Sequence, residues 1–142
     1  MLDSIRSARV PDGVAVRTIV VDNNSQDTTR AGVDSAQAGW PGTLEYRFEP
    51  VQSKSVALNH GLSLVRADVV GMLDDDKEIH PEWIAVVARM LADRDVDFIS
   101  GQYLPRWGAP APVWLPREFP AVIGWMDAGN RRLEYGRTTT AW

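Results

Sequence analysis

Short apolar runs and helical apolar stripes alternate along most of the chain. Strands are predicted where β-branched or apolar runs are bounded by polar or turn residues, and these runs are 17–21, 44–48, 69–73 and 96–103. Helices are predicted by capping residues and by apolar positions at i, i+3, i+4 and i+7. The end of a first helix lies within 2–10. The other helices cover 25–38, with Ser25 as N-cap, then 55–65, and then a segment that begins at Pro81. Strands that alternate with helices predict an α/β fold with a mostly parallel sheet.

The pattern changes after residue 103, where prolines and aromatic residues replace the regular periodicity. The residues concerned are Pro105, Trp107, Pro110, Pro112, Trp114, Pro116, Phe119, Pro120 and Trp125. Their tryptophans either pack this segment or stack on a sugar or a base. We therefore predict two parts, an α/β region over 1–103 and a proline- and tryptophan-rich region over 104–142.

Composition narrows the class of protein. The 142 residues are 44% hydrophobic and 24% charged, which is typical of a folded globular domain. The net charge of −4 disfavours nucleic acid as a partner, because a polyanion would be repelled. The absence of cysteine excludes disulfides and thiolate metal sites. The chain contains no signal-peptide pattern and no apolar run of membrane-spanning length, so a cytoplasmic location is expected.

Two polar clusters directly follow predicted strands. One is Asp22-Asn23-Asn24-Ser25 after 17–21, and the other is Asp74-Asp75-Asp76 after 69–73. Ligands of parallel α/β sheets bind beyond the carboxyl ends of the strands. If the two strands are neighbours, both clusters line one crevice.

The aspartate triplet is a candidate site for a divalent cation. Adjacent carboxylates repel one another, and a hard cation such as Mg²⁺ or Mn²⁺ offsets their charge while it bridges to substrate phosphates. The alternative is a solvated turn, but the buried-type strand directly before the triplet favours the metal site. An EF-hand calcium loop does not fit, because Ile79 and Ala85 occupy the positions that require glycine and glutamate.

The helix predicted after the second strand carries two further candidates. Lys54 precedes its start, where a lysine and helix N-terminal amides together would bind a diphosphate; the alternative is an ordinary surface lysine. Asn59 is either a buried hydrogen-bonding side chain or an exposed one. Neither a Gly-x-Gly-x-x-Gly loop nor a P-loop is present, since Ser53 stands where a P-loop has glycine.

Three stretches, in order, resemble inverting family-2 glycosyltransferases with the GT-A fold. They are 18–29, a strand followed by Asp-Asn-Asn-Ser-Gln-Asp-Thr-Thr; 53–62, Ser-Lys-Ser-Val-Ala-Leu-Asn-His-Gly-Leu; and 69–83, which contains Leu-Asp-Asp-Asp and Pro-Glu-Trp. The resemblance implies a three-layer α/β/α fold with a mostly parallel sheet. In it, 1–103 would bind a nucleotide-diphosphate sugar, and 104–142 would begin the acceptor side.

The resemblance also implies roles for the first two stretches. Asp22 and Asn23 would contact the nucleotide base, usually uracil. Lys54 would lie near the base or the diphosphate, and Asn59 would hold its helix against the site.

The aspartate triplet receives its roles from the same resemblance. Asp74 and Asp75 would serve the ribose and the geometry of the loop, while Asp76, together with Asp74, would ligate Mg²⁺ or Mn²⁺. The metal would neutralise charge on the departing nucleoside diphosphate. An acceptor hydroxyl would attack the anomeric carbon with inversion.

The chain departs from the family pattern at both ends. The family's first strand, which is central in its sheet, is missing, and the start of this chain looks like the helix that follows that strand. No motif surrounds Asp127 or Glu134, so neither is identified as the catalytic base. We therefore expect a donor-binding fragment, truncated at both ends, with an unpaired strand edge. Donor binding rather than turnover is expected of it.

Two other classes stay open. One is a non-catalytic module on the same scaffold that recruits a partner through its proline- and tryptophan-rich segment. The other is a nucleotidyltransferase, although the chain lacks the phosphate loop usual near the start of such enzymes. The expected partners of a glycosyltransferase are the nucleotide-sugar donor and a saccharide or lipid-linked acceptor. Self-association through the free strand edge and a peripheral contact with the inner membrane face are further expectations.

Overall fold

The computed structural model describes residues 1–92, 96–110 and 113–114. Contacts divide the chain into two units, Met1–Ile99 and Ser100–Trp142. All helices and strands of the described residues lie in the first unit. Their order is α1 (Leu2–Arg6), β1 (Arg17–Asp22), α2 (Thr29–Ala36), β2 (Thr43–Phe48), α3 (Lys54–Ser63) and α4 (Trp83–Leu91).

The sheet of the first unit is a parallel pair of strands, β1 and β2. Its register runs from Arg17 opposite Thr43 to Asp22 opposite Phe48. Parallel neighbours need a crossover connection, and α2 supplies it. The predicted α/β class and the parallel direction of the strands are therefore confirmed for this pair.

The core lies between α2, the sheet and the N-terminal helix. Its buried members are Ile5, Val33, Ala36, Trp40 and Leu44. Full burial of a valine such as Val33 contributes roughly 1.5–3 kcal/mol. Trp40 also donates from Nε1 to the Thr18 hydroxyl, at 3.3 Å. This cluster fixes α2 against the sheet, and so fixes the carboxyl ends of both strands.

The C-terminal half of α3 packs closely on β1 and contacts both ends of the strand. A Cβ atom added to Gly61 would lie 3.2 Å from Cγ2 of Val21. The guanidinium of Arg17 donates to the carbonyl of Leu64 at 2.6 Å. The C-terminal half of α3 therefore has a fixed place beside β1.

The helix boundaries differ from prediction mainly at the start of α2. Helix α2 begins at Thr29 with Thr28 as N-cap, so the prediction of Ser25 as N-cap is wrong. The amide of Ser25 instead donates to Oδ1 of Asp22 at 2.8 Å, and the amide of Thr29 donates to Oδ1 of Asp27 at 2.8 Å. The polar loop thus satisfies its donors within itself, which delays the helix.

Two predicted strands are not present as strands. Neither 69–73 nor 96–103 forms a strand, since Tyr103 makes no more than an isolated β-bridge, so both predictions are wrong. An extended segment becomes a strand only when a neighbour completes its backbone hydrogen bonds, and in the described chain β1 and β2 pair only with each other. Met72 is accordingly 60% exposed. The observed sheet therefore has two strands instead of the predicted four.

The segment that leads from the aspartate triplet to α4 is tied to the N-terminus. The amide of Ile79 donates to the hydroxyl of Ser4 at 3.1 Å, and the amide of Arg9 donates to the carbonyl of Pro81 at 2.8 Å. A Cβ atom on Gly71 would lie 2.8 Å from Cη2 of Trp83. Both flanks of the aspartate triplet are thereby held in place.

The second unit is described only over 100–110 and 113–114, and these residues contain no helix. Leu104 and Trp114 are exposed there. Several residues singled out from the sequence lie outside the described residues: Pro112, Pro116, Phe119, Pro120, Trp125, Asp127 and Glu134. None of the described helices has both the length and the apolar character needed to cross a bilayer.

Candidate functional site

The carboxylate of Asp22 is a buried anion at the end of β1. The residue is 6% exposed, and its two oxygens accept hydrogen bonds from the Tyr46 hydroxyl at 2.6 Å and from the Ser25 amide at 2.8 Å. Burial by itself would raise the pKa of Asp22, but the hydrogen bonds from Tyr46 and Ser25 outweigh burial and lower it. The group is therefore held as a carboxylate.

Tyr46 is a site residue that the sequence analysis missed. It pairs with Val20 in the sheet register, two residues before Asp22, so the side chains of Val20 and Asp22 lie on the same face. The hydrogen bond to Asp22 is the main cause that raises the pKa of the Tyr46 hydroxyl. Arg30 lies over the tyrosine ring, with its guanidinium carbon 4.5 Å from the ring centroid. The alternation in 44–48, which places Leu44 and Tyr46 on one face, was the available signal.

Asn23 connects the end of β1 to the loop before α3. Its side-chain amide donates to the carbonyl of Val51 at 2.6 Å. The next residue, Asn24, adopts a left-handed conformation with φ of 63°, which asparagine tolerates better than most residues. The backbone reverses there, and Asn23 stays beside the loop over 49–53.

Lys54 connects the start of α3 to the aspartate triplet. Its Nζ lies 2.7 Å from Oδ1 of Asp74, and both side chains are largely exposed. The hydrogen bond to Asp74, followed by the negative charges of Asp74, Asp76 and Asp75, raises the pKa of Lys54. The two polar clusters are thus linked through the loop over 49–53 and the first residue of α3, at the carboxyl end of the sheet.

Asp75 and Asp76 lie in an exposed turn directly after Asp74. The backbone amide of Lys77 closes this turn on the carbonyl of Asp74 at 3.1 Å, and Nζ of Lys77 lies 3.6 Å from Oδ1 of Asp76. No group of three or more histidine, cysteine, aspartate or glutamate side chains gathers into a metal site in the described part of the chain. Mg²⁺, however, is usually bound by one or two carboxylates together with water and substrate phosphates. The exposed carboxylates fit such partial ligation and do not form a closed metal cage.

Asn59 is exposed on α3, so of the two alternatives left open for it the exposed side chain is confirmed and the buried one is wrong. The contact between α3 and the neighbouring loop is made by the next residue: Nδ1 of His60 lies 3.1 Å from Oε2 of Glu49. Glu49 and His60 are two further residues that the sequence analysis missed. A glutamate directly after a strand and a histidine inside a helix carry no local signal of pairing.

A comparison with known protein families identifies the family of this chain. A family model described as glycosyl transferase family 2 matches residues 1–140. The chain belongs to glycosyl transferase family 2. This membership confirms the predicted family, which is one of glycosyltransferases, and the α/β fold class, since the family has the GT-A fold.

Two curated relatives are similar to most of this chain. The chain is 26% identical over 135 residues to succinoglycan biosynthesis protein ExoM from Rhizobium meliloti (strain 1021), which covers 94% of this chain and 44% of that protein. It is 28% identical over 123 residues to a glucosyl-dolichyl phosphate glucuronosyltransferase from Haloferax volcanii, with 85% and 39% coverage. The chain thus spans less than half the length of either relative. No solved structure matches it.

Proposed function

We propose that this family-2 chain is the donor-binding region of a glycosyltransferase that uses Mg²⁺ or Mn²⁺ and inverts the anomeric centre. The enzyme would move a sugar from a nucleotide-diphosphate donor to an acceptor hydroxyl. The observation that carries the proposal is the ion pair between Lys54 and Asp74. It joins the N-terminus of α3 to the aspartate triplet, beside the loop that Asn23 binds.

The nucleotide base is assigned to the end of β1. Both oxygens of Asp22 are already engaged by Tyr46 and Ser25, so Asp22 holds the loop in place. The amide nitrogen of Asn23 is used by Val51, whereas its amide oxygen accepts no hydrogen bond within the described residues. That oxygen is therefore the group proposed to accept an N–H from the base.

The diphosphate is assigned to Lys54 and the first turn of α3. Helix N-terminal amides favour anions, and an ammonium group adds a mobile point charge. An exposed ion pair contributes little to stability, so Lys54 can exchange Asp74 for a phosphate oxygen at small cost.

Asp76, with Asp74 once Lys54 has moved to the phosphates, would hold the divalent metal, and Asp75 would serve the ribose and the geometry of the loop. The metal would neutralise charge on the departing nucleoside diphosphate. The carboxylates themselves would fix its position beside Lys54. A general base within hydrogen-bond reach of the acceptor is also required, and none is assigned here.

The acceptor and location are proposed at the level of chemical class. One relative is named for succinoglycan biosynthesis and the other for a glucosyl-dolichyl phosphate. A saccharide acceptor is consistent with the first name and a lipid-linked acceptor with the second. A location at the cytoplasmic face of a membrane is proposed with them. Self-association is part of the same proposal, because β1 has one unpaired edge within the described chain.

Calorimetric titration with UDP and UDP-glucose, with and without Mn²⁺, tests the donor site. We expect metal-dependent binding that Asp76→Asn weakens at least roughly tenfold. Asp12→Asn removes an exposed carboxylate from the loop before β1, at the other end of the strand, and serves as the matched control. Equal loss in both variants, or metal-independent binding, contradicts the proposal.

The other two classes give different results in the same assays. A binding module would be folded, would bind none of the uridine, guanosine or thymidine nucleotides, and would self-associate or capture a partner. A nucleotidyltransferase would release pyrophosphate from a nucleoside triphosphate and a sugar phosphate. The match to glycosyl transferase family 2 over 1–140 favours sugar transfer over both.

A further inference from the structure

Glu49 is the point at which three parts of the candidate site meet. It follows β2 directly, and its backbone amide donates to the carbonyl of Asp22 at 2.9 Å. Its Oε1 accepts a hydrogen bond from the amide of Val51 at 2.9 Å. The carbonyl of Val51 in turn accepts from the side chain of Asn23. One residue therefore joins the end of β1 to the loop over 49–53.

The second oxygen of Glu49 reaches α3. Its Oε2 lies 3.1 Å from Nδ1 of His60, and the glutamate side chain is only 13% exposed. His60 lies on the helix that begins at Lys54. The carboxylate is thus braced between a loop amide and a helix side chain, a geometry that restricts the rotamer of Glu49 and the path of the loop.

We propose that Glu49 is a positioning residue of the donor site and that His60 orients it. By accepting from the Val51 amide, Glu49 fixes the backbone of Val51, whose carbonyl is the acceptor for Asn23, and so sets the place of the Asn23 amide. Through His60 it also fixes α3, and with it Lys54, relative to that amide. The Asn23 amide, which would contact the base, and Lys54, which would contact the diphosphate, are then held at a constant distance from each other. This inference rests on the proposed donor-binding function, but the arrangement it describes exists without ligand.

If Glu49 only supported the fold, its loss would destabilise the sheet as a whole. Loss of the Glu49 carboxylate leaves the amide of Val51 without its acceptor and frees the backbone dihedrals at Val51, which displaces the carbonyl that accepts from Asn23. The sheet, α2 and the core cluster do not contact this carboxylate through any hydrogen bond in the described chain. We therefore expect a local loss of order and of ligand affinity, with the fold retained.

Three variants of the full chain test the proposal. Glu49→Ala removes both side-chain bonds, and we expect it to weaken UDP binding in Mn²⁺ roughly tenfold, as loss of an orienting partner commonly does. Glu49→Gln keeps an oxygen for Val51 and a polar group for His60, so it should restore most of the affinity. Glu82→Ala removes an exposed glutamate that pairs with Arg9 and should leave UDP binding unchanged.

A ligand-free readout separates this inference from the proposed function. Hydrogen exchange of the Val51 amide and the NMR signals of the Asn23 side-chain amide report the loop directly. We expect Glu49→Ala to lose protection at Val51 and to shift Asn23, while amides of β1 and β2 stay protected. His60→Ala should show a smaller change at the same two residues, and it replaces Glu49→Ala if that variant does not fold.

The outcomes are distinct. If the wild-type chain binds no nucleotide but Val51 and Asn23 respond as expected, the donor-site function fails and the positioning role of Glu49 stands as a loop brace. Unchanged protection and unchanged Kd in Glu49→Ala and His60→Ala overturn the positioning role. Equal loss in Glu49→Ala and Glu49→Gln, with protection lost across the whole sheet, also overturns it.

Discussion

The hydroxyl of Tyr46 on β2 donates a 2.6 Å hydrogen bond to the carboxylate of Asp22 at the end of β1. Asp22 is buried, and a buried carboxylate is costly unless donors stabilise its charge. Tyr46 and the Ser25 amide are the donors present. The polar loop after β1, and the place of Asn23 within it, therefore depend on a residue from the neighbouring strand.

Tyr46→Phe removes this donor without changing the shape of the ring. We expect the pKa of Asp22 to rise and the melting temperature to fall by on the order of 5 °C, since hydrogen bonds to charged groups are among the stronger ones. Thermal unfolding at neutral pH checks this result. Ser63→Ala removes an exposed hydroxyl that donates to the backbone carbonyl of His60; it is the control and should have a smaller effect, because its acceptor carries no charge. A control that melts as low as Tyr46→Phe would contradict the importance of the Asp22 contact.

The lowered pKa of Asp22 predicts a specific dependence of stability on pH. Because the folded-state pKa lies below the ordinary value, the stabilisation is fully present above about pH 3.9 and is lost as the pH falls through the folded pKa. The free energy of unfolding of Asp22→Asn, measured with urea between pH 2 and 7, should therefore fall less at acid pH than that of the wild-type chain. Part of the fall should remain, because the pKa of Asp27 is also lowered, first by the Thr29 hydroxyl. Asp12→Asn should reproduce the wild-type profile, and an unchanged profile in Asp22→Asn would contradict the prediction.

Local sequence was sufficient for the elements that carry their own pattern. The β-branched run that ends at Val21 predicted β1, and the alternation in 44–48 predicted β2. The same logic placed Asp22 and Asn23 at the carboxyl end of a strand, where the structure has them. The two runs form strands because helix α2 between them allows the strands to pair in parallel.

Pairing and long-range contacts were not available from the local pattern. The run 69–73 has the composition of a buried strand, but whether it pairs depends on a neighbour that its own residues do not specify. Lys54 and Asp74 are 20 residues apart, and Glu49 and His60 are 11 apart. Sequence reasoning identified the first pair only as separate candidates and did not identify the second.

Gly42 has the strictest steric requirement in the turn before β2. Its φ is +94°, and an added Cβ would lie 2.1 Å from the carbonyl oxygen of Val16. Gly42→Ala should therefore destabilise by the cost of a left-handed conformation, about 1–2 kcal/mol, plus the cost of moving that carbonyl. The carbonyl also accepts the amide of Thr43, so β2 should lose its first hydrogen bond.

Gly39 provides the comparison for Gly42, and the free energy of unfolding of both alanine variants is measured with urea. Its φ is +70°, but an added Cβ would meet nothing within 4 Å. Gly39→Ala should therefore lose only the conformational part, about 1–2 kcal/mol. Equal losses at the two glycines would show that the contact with Val16 relaxes without cost.

Lys54 should affect ligand binding without a matching effect on stability. Its ion pair with Asp74 is exposed and so contributes little to folding, whereas a diphosphate offers it a stronger negative partner. Lys54→Ala is expected to weaken UDP binding in Mn²⁺ roughly tenfold and to reduce the salt dependence of Kd, because one screened charge contact is lost. The melting temperature should stay within the error of the measurement. Arg66→Ala removes a positive charge just beyond the other end of α3 and should leave Kd unchanged. If Lys54→Ala binds UDP as tightly as the wild-type chain, the diphosphate does not lie at the start of α3, and the donor site must be assigned to another part of the molecule.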